Sequence, residues 1–150
     1  MAMSQWSVDR ERVFPKGDNP LENPFYGYRI LDLTLPDSRL ATYYGLIVPK
    51  CVHVVALEAD ETTYLVRQSR PNVMEIGASE VPETMELPGG FANPDTSMEE
   101  SAQAELEKEI AQHASTLTPV GVLFPSVGVS NEQDHIFVGT ELSPIQNYPL

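Results

Sequence analysis

The sequence has a single cysteine, Cys51, among its 150 residues. One thiol cannot form a disulfide bond within the chain, so the fold has to be stabilised by its core. No apolar run is long enough to span a bilayer or to act as a signal peptide. These absences predict a reducing, cytoplasmic setting and no membrane partner.

Basic residues are also scarce. Nine Lys and Arg residues stand against 22 Asp and Glu, which gives a formal net charge of -13. Such a charge argues against binding nucleic acid, because that binding depends on clustered cations that replace counterions. An anionic substrate would need a bound metal or local arginines to approach this chain.

What the sequence does contain is material for one domain, since 41% of its residues are hydrophobic. Residues 1–27 are polar and interrupted by proline and glycine, which predicts an irregular N-terminal arm. The remainder, 28–150, is predicted to be a single domain. It begins with a β-hairpin over 28–48, because two alternating β-prone runs flank the turn residues 36–39. Further strands are predicted at 52–58, 63–68, 120–124 and 135–138.

A helix is predicted to follow the Leu87-Pro88-Gly89-Gly90 segment, which has the composition of a tight turn. Thr96 or Ser97 can cap this helix, since a glutamate lies three residues after each. The helix is expected to run to about Ala114. Its apolar residues recur every four positions and predict one face that packs on the core; they are Met98, Ala102, Leu106 and Ile110.

Glu105 and Glu109 lie at the border of that apolar face, one helical turn apart. Like charges at this spacing repel, and a divalent cation would remove the penalty. Carboxylate oxygens beside a glycine turn suit Mg²⁺, which in turn suits chemistry on a phosphate. The alternative is a solvated helix face on which Lys108 pairs with Glu105 at the i,i+3 spacing.

The same segment resembles a known family. Glu86-Leu87-Pro88-Gly89-Gly90, followed by Ala104-Glu105-Leu106-Glu107-Lys108-Glu109, is similar to the box of Nudix hydrolases. Residues 54–57, 65–71 and 125–132 are similar to the ADP-ribose and nucleoside-diphosphate-sugar pyrophosphatase branch of that family. The resemblance covers roughly residues 28–143.

The resemblance implies a fold, a metal site and an assembly. The implied fold class is α+β, with a mixed β-sheet flanked by helices in an α/β/α sandwich. The carbonyl of Gly89 and the carboxylates of Glu105 and Glu109 match metal ligands, which implies Mg²⁺, with Mn²⁺ as a substitute. The N-terminal hairpin is implied to cross to a second subunit and form a homodimer.

The implied reaction is hydrolysis of the pyrophosphate bond of ADP-ribose or a related nucleoside diphosphate derivative. Glu132 matches the loop glutamate that orients the attacking water, and Glu105 is the second predicted catalytic residue. Arg67 and Arg70 are candidates to bind the diphosphate, because a guanidinium can grip phosphate oxygens at two points. Either arginine could instead pair with one of the many acids. Tyr28, with Tyr26 and Tyr43, is a candidate to stack on the base.

Three positions depart from the family pattern. Thr96 replaces a glutamate and Ala104 an arginine that pair with each other in the family. Lys108 replaces a metal-facing carboxylate. These changes keep a second hypothesis open, a Nudix-fold module that binds a nucleotide or a protein without hydrolysing a substrate. His53, in an apolar strand, is expected to be a hydrogen-bonded core residue.

Overall fold

The computed structural model describes residues 7–14, 26–75 and 78–146. Contacts divide the chain into two compact units. The first unit combines Met1–Pro49 with Phe124–Gln133, and the second combines Lys50–Leu123 with Asp134–Leu150. The prediction of one domain over 28–150 is not tested by this division.

The first unit contains an antiparallel sheet in the order β1-β2-β3. Its strands are β1 (Ser7–Phe14), β2 (Gly27–Thr34) and β3 (Leu40–Ile47). The predicted hairpin is confirmed, since β2 and β3 pair in continuous register from Gly27–Ile47 to Thr34–Leu40. At its turn the Leu35 amide donates to the Arg39 carbonyl at 2.8 Å.

The prediction of an irregular N-terminal arm is wrong for Ser7–Phe14, because these residues form β1 and pair with β2. Polar cross-strand contacts hold this strand: Arg12 forms an ion pair with Asp32 at 3.2 Å, and the Thr34 hydroxyl donates to Asp9 at 2.7 Å. A strand held by polar pairs lacks the apolar alternation by which strands are recognised in a sequence. Residues 1–6 and 15–25 of the predicted arm lie outside the described residues.

The second unit contains a mixed four-stranded sheet in the order β7-β4-β9-β8. Strands β4 and β9 run parallel, and the other two pairs are antiparallel. The bounds are β4 (Cys51–Ala56), β7 (Gly89–Phe91), β8 (Gln112–Leu123) and β9 (Asp134–Pro144). A separate antiparallel pair consists of β5 (Val66–Ser69) and β6 (Glu83–Glu86), with a short 3-10 turn at Pro71–Val73 between them.

Helix α1 spans Met98–Ile110, and Ser97 is its N-cap. The Ser97 hydroxyl accepts from the Glu100 amide while the Glu100 carboxylate accepts from the Ser97 amide, which is the predicted capping box. The helix ends earlier than the predicted Ala114, because Ala111 adopts a left-handed conformation with φ 53° and β8 begins at Gln112.

The core of the second unit lies between α1 and the sheet. Val52, Val54 and Ala56 on β4 are fully buried, as are Ala102 and Leu106 on α1. Met98 and Ile110 pack against this cluster, so the predicted apolar face of the helix is confirmed. The α+β fold class is confirmed as well. Helix α1 is the one α-helix of the described residues, and no helix there is long and apolar enough to cross a membrane.

Two local predictions need correction. Gly89 and Gly90 lie in strand β7 and pair with His53 and Val52, instead of forming a tight turn. Strands β8 and β9 extend well beyond the short segments predicted for them, and the register of β8 shifts between Pro119 and Gly121. This shift breaks the apolar alternation into shorter pieces, which explains why only 120–124 was predicted.

Candidate active site

The two helix carboxylates face the two glycines of β7. The Gly89 amide donates to Glu109 Oε2 at 2.9 Å, and the Gln68 side-chain amide donates to Glu109 Oε1 at 3.3 Å. Glu109 is therefore held by one backbone and one side-chain donor. Both of its oxygens keep a second lone pair for another ligand.

Glu105 lies directly over Gly90. A Cβ atom at position 90 would come within 2.9 Å of the Glu105 carboxyl carbon and 3.0 Å of each oxygen. At position 89 a Cβ would meet the Val52 carbonyl oxygen at 2.4 Å and His53 Nδ1 at 2.5 Å. Position 89 therefore excludes a side chain, whereas a side chain at position 90 would displace the Glu105 carboxylate. Glycine at both positions allows β7 to approach the helix and β4 closely.

Lys108 forms an ion pair with Glu105 through Nζ and Oε2. The Glu105 side chain is only 12% exposed, whereas that of Lys108 is 59% exposed. Glu105 Oε2 is buried and makes no hydrogen bond of acceptable geometry with the described residues. The i,i+3 pair that formed the alternative reading of this helix is thus present in the structure.

Arg70 lies in the same unit and pairs with Glu86. Its Nε donates to Glu86 Oε1 at 2.6 Å, and a second bond joins Nη2 to Oε2. The hydrogen bond from Arg70 lowers the pKa of Glu86 to about 2, with help from Thr84 and nearby His53. The pKa of Arg70 is raised, chiefly by Glu86 and to a smaller extent by the charge of Glu109. Arg70 is therefore a cation whose carboxylate partner is Glu86.

Arg67 is placed differently. It extends from β5 to Glu83 on β6 at 3.5 Å, and both side chains are largely exposed. Each of the two predicted diphosphate ligands thus has a carboxylate partner across the β5–β6 ladder. Their contact with a substrate stays a prediction.

His53 is not the core residue that its apolar strand suggests. Its side chain is 31% exposed, and Nε2 lies 3.6 Å from Asp134 Oδ2. Because β4 alternates, His53 lies on the face opposite Val52 and Val54. Alternation could have placed His53 on that face from the sequence, but its proximity to Asp134 depends on the parallel pairing of β4 with β9.

Two predicted site residues belong to the first unit. Tyr28 lies on β2, where it pairs with Phe14 and Leu46. Glu132 follows Asn131, whose side chain accepts from the Val48 amide at 2.8 Å. A groove in this unit is lined by Arg29, Leu31 and Tyr43 together with the loop 127–130, which sequence reasoning did not assemble. The roles assigned to Tyr28 and Glu132 stay predictions.

The first two departures from the family box leave no buried charge. Thr96 and Ala104 are both exposed. The loop before the helix is held instead by Ser101, whose hydroxyl accepts from the Asn93 amide at 3.1 Å and lies 3.1 Å from the Thr96 hydroxyl. A neutral hydroxyl network therefore stands where the resemblance implies an ion pair.

The residues present fit a divalent cation. Two carboxylates on one helix face offer hard oxygen donors, and the buried Oε2 of Glu105 has the Lys108 ammonium as its one partner among the described residues. Mg²⁺ commonly takes one or two carboxylates and completes its shell with water and substrate oxygens. In addition, the absence of a side chain at Gly90 leaves the Glu105 carboxylate in place against β7.

Comparison with known proteins gives a structural likeness only. No model of a protein family matches the chain, and no curated protein matches it. A solved structure described as an ADP compounds hydrolase is similar, with a TM-score of 0.71 and 18% sequence identity. The match covers 100% of this chain and 76% of the other. At this identity the likeness shows the α+β fold.

Proposed function

We propose that this chain is a hydrolase of nucleoside diphosphate derivatives that depends on Mg²⁺, or on Mn²⁺ in its place. Its substrate is ADP-ribose or a related nucleotide sugar, and its products are a nucleoside monophosphate and a sugar phosphate. One observation carries the proposal: Glu105 and Glu109 lie together against Gly89 and Gly90. The likeness to an ADP compounds hydrolase supports the substrate class.

Five residues of the second unit have roles in this proposal. Glu105 and Glu109 bind the cation, and the Gly89 amide and Gln68 hold the Glu109 carboxylate in position. Arg70, which pairs with Glu86 in the same unit, attracts the anionic diphosphate. The cation, when bound, neutralises charge on the phosphate oxygens and polarises the attacking water.

By the resemblance, Glu132 is the base that accepts a proton from the attacking water. Water oxygen forms a bond to one phosphorus, and the bond from that phosphorus to the bridging oxygen breaks. The bridging oxygen leaves on the other phosphate, so that two monoesters are produced. Arg70 would stabilise the charge on the leaving group.

The test is release of AMP from ADP-ribose with excess Mg²⁺ or Mn²⁺, measured for the wild type and for Glu109→Gln. Removal of one metal-binding carboxylate is expected to lower kcat/KM by about 100-fold or more. Glu99→Gln, an exposed change on the first turn of α1, is the matched control. Absence of turnover by the wild type, or equal turnover by Glu109→Gln, contradicts the proposal.

The ion pair between Lys108 and Glu105 favours a second candidate, a module that binds a nucleotide without hydrolysing it. This candidate predicts saturable binding of ADP-ribose that metal does not affect. Lys108→Glu restores the carboxylate that the family pattern has, and the same AMP assay separates the candidates. A gain in rate supports an impaired enzyme, and no gain with unchanged binding supports the binding module.

A further inference from the structure

The two helix carboxylates have different kinds of partner. Glu109 accepts from a backbone amide and from the Gln68 amide, which are neutral donors that leave its charge in place. Glu105 instead contacts the ammonium of Lys108, which carries a full positive charge. The two carboxylates therefore differ in how available they are to another cation.

The surroundings of Glu105 favour this contact. The carboxylate lies over Gly90 and is largely buried, so few waters solvate it. A carboxylate removed from water gains more from a nearby cation than an exposed one does. Lys108 supplies that cation, and Oε2 makes no hydrogen bond to any other described residue.

Lys108 is also free to leave. Its side chain is more than half exposed, and an ammonium on a flexible stem regains hydration when it moves into solvent. A divalent cation that takes the place of the ammonium leaves the buried Glu105 charge compensated, so the displaced state is accessible when the metal is present.

We propose that the Lys108 ammonium is a built-in competitor that occupies the Glu105 carboxylate and is displaced when a divalent cation binds there. This inference rests on the metal site of the proposed function and adds a means of regulating it. Apparent metal affinity is then the intrinsic affinity multiplied by the fraction of molecules in which Lys108 has moved away. The cation concentration needed for half-saturation is then higher than it would be without Lys108.

Binding of Mn²⁺ without nucleotide, followed by electron paramagnetic resonance, tests the inference. Lys108→Gln is expected to tighten Mn²⁺ binding about tenfold, equivalent to about 1.4 kcal/mol, because the competing charge is removed. Lys50→Gln makes the same change in net charge at another exposed lysine and is expected to leave the affinity within about twofold of wild type. The double variant Lys108→Gln/Glu105→Gln is expected to lose the gain.

Three results would overturn the inference: unchanged or weaker Mn²⁺ binding by Lys108→Gln, an equal gain in Lys50→Gln, or a gain that survives removal of the Glu105 charge. Its failure is distinct from failure of the proposed function. Tighter Mn²⁺ binding by Lys108→Gln without AMP release supports Lys108 as a competitor and contradicts the proposed hydrolase function. AMP release with unchanged Mn²⁺ binding does the reverse.

Discussion

At the residue scale, a side chain would have a different effect at each of the two adjacent glycines of β7. A Cβ at Gly89 would collide with a backbone oxygen of β4, which cannot move without disturbing the sheet. A Cβ at Gly90 would collide with the end of the Glu105 side chain, which can rotate away. The first glycine is therefore required for the fold and the second for the position of a carboxylate.

Substitution of each glycine by alanine should separate these roles. Gly89→Ala is expected to lower the free energy of unfolding by about 1 to 3 kcal/mol, in the range of overpacked cores. Gly90→Ala is expected to cost less than about 1 kcal/mol but to weaken Mn²⁺ binding by about tenfold or more, because Glu105 is displaced. Urea unfolding and Mn²⁺ titration measure the two effects. Equal losses of stability in both variants would contradict the distinction.

Part of this site was predictable from the sequence and part was not. The i,i+3 pairing of Lys108 with Glu105 follows from helical geometry alone, so the sequence predicts it as an alternative. The β5–β6 register places Val66 opposite Glu86, and the Arg70 amide donates to the Pro82 carbonyl, so the Arg70 side chain reaches Glu86 by extending back along the ladder. No local pattern encodes that register across the intervening loop, so this partner could not be named in advance.

At the scale of elements, the capping box at the start of α1 positions the whole helix and hence both carboxylates. Ser97→Ala removes the hydroxyl that accepts from the Glu100 amide and is expected to lower stability by about 1 kcal/mol. For a chain of this length that loss corresponds to a melting temperature lower by about 2 to 4 °C. Ser115→Ala, an exposed change in β8, serves as the control in thermal unfolding. A melting temperature equal to that of the control would show that the cap contributes nothing.

Elements were predictable where one physical signal dominated. Helix α1 combines a capping box with a continuous apolar face, and both were recognised. Its end was not, because Ala111 adopts its left-handed conformation without the glycine that usually marks such a stop. Strand β1 was missed because its contacts with β2 are polar.

At the scale of the whole molecule, a net charge of -13 makes stability depend on how individual carboxylates are held. The pKa of Glu86 is lowered from 4.5 to about 2 by Arg70, so the folded state favours the ionised form. The resulting stabilisation is complete above pH 4.5 and is lost as the pH falls towards 2.

Arg70→Gln should therefore flatten the dependence of stability on pH. Between about pH 5 and 2.5, the free energy of unfolding is expected to fall less in Arg70→Gln than in the wild type, since the pKa of Glu86 returns towards its ordinary value. Arg67→Gln removes an exposed pair and is expected to follow the wild-type profile. Urea titrations across this range measure the difference, and matching profiles for the two variants would rule out Arg70 as the source.

The register shift in β8 has a consequence for behaviour at high concentration. Strand β8 is at one end of the four-stranded sheet, and its exposed residues include Val120, Val122 and Leu123. An apolar edge of this length is a template for strand addition and aggregation. Pro119 cannot donate a ladder hydrogen bond, and the bulge beside it bends the strand. The edge of the sheet is therefore interrupted where the apolar stretch of β8 begins. The irregularity is thus expected to keep β8, the longest of the described strands, from templating intermolecular β-structure.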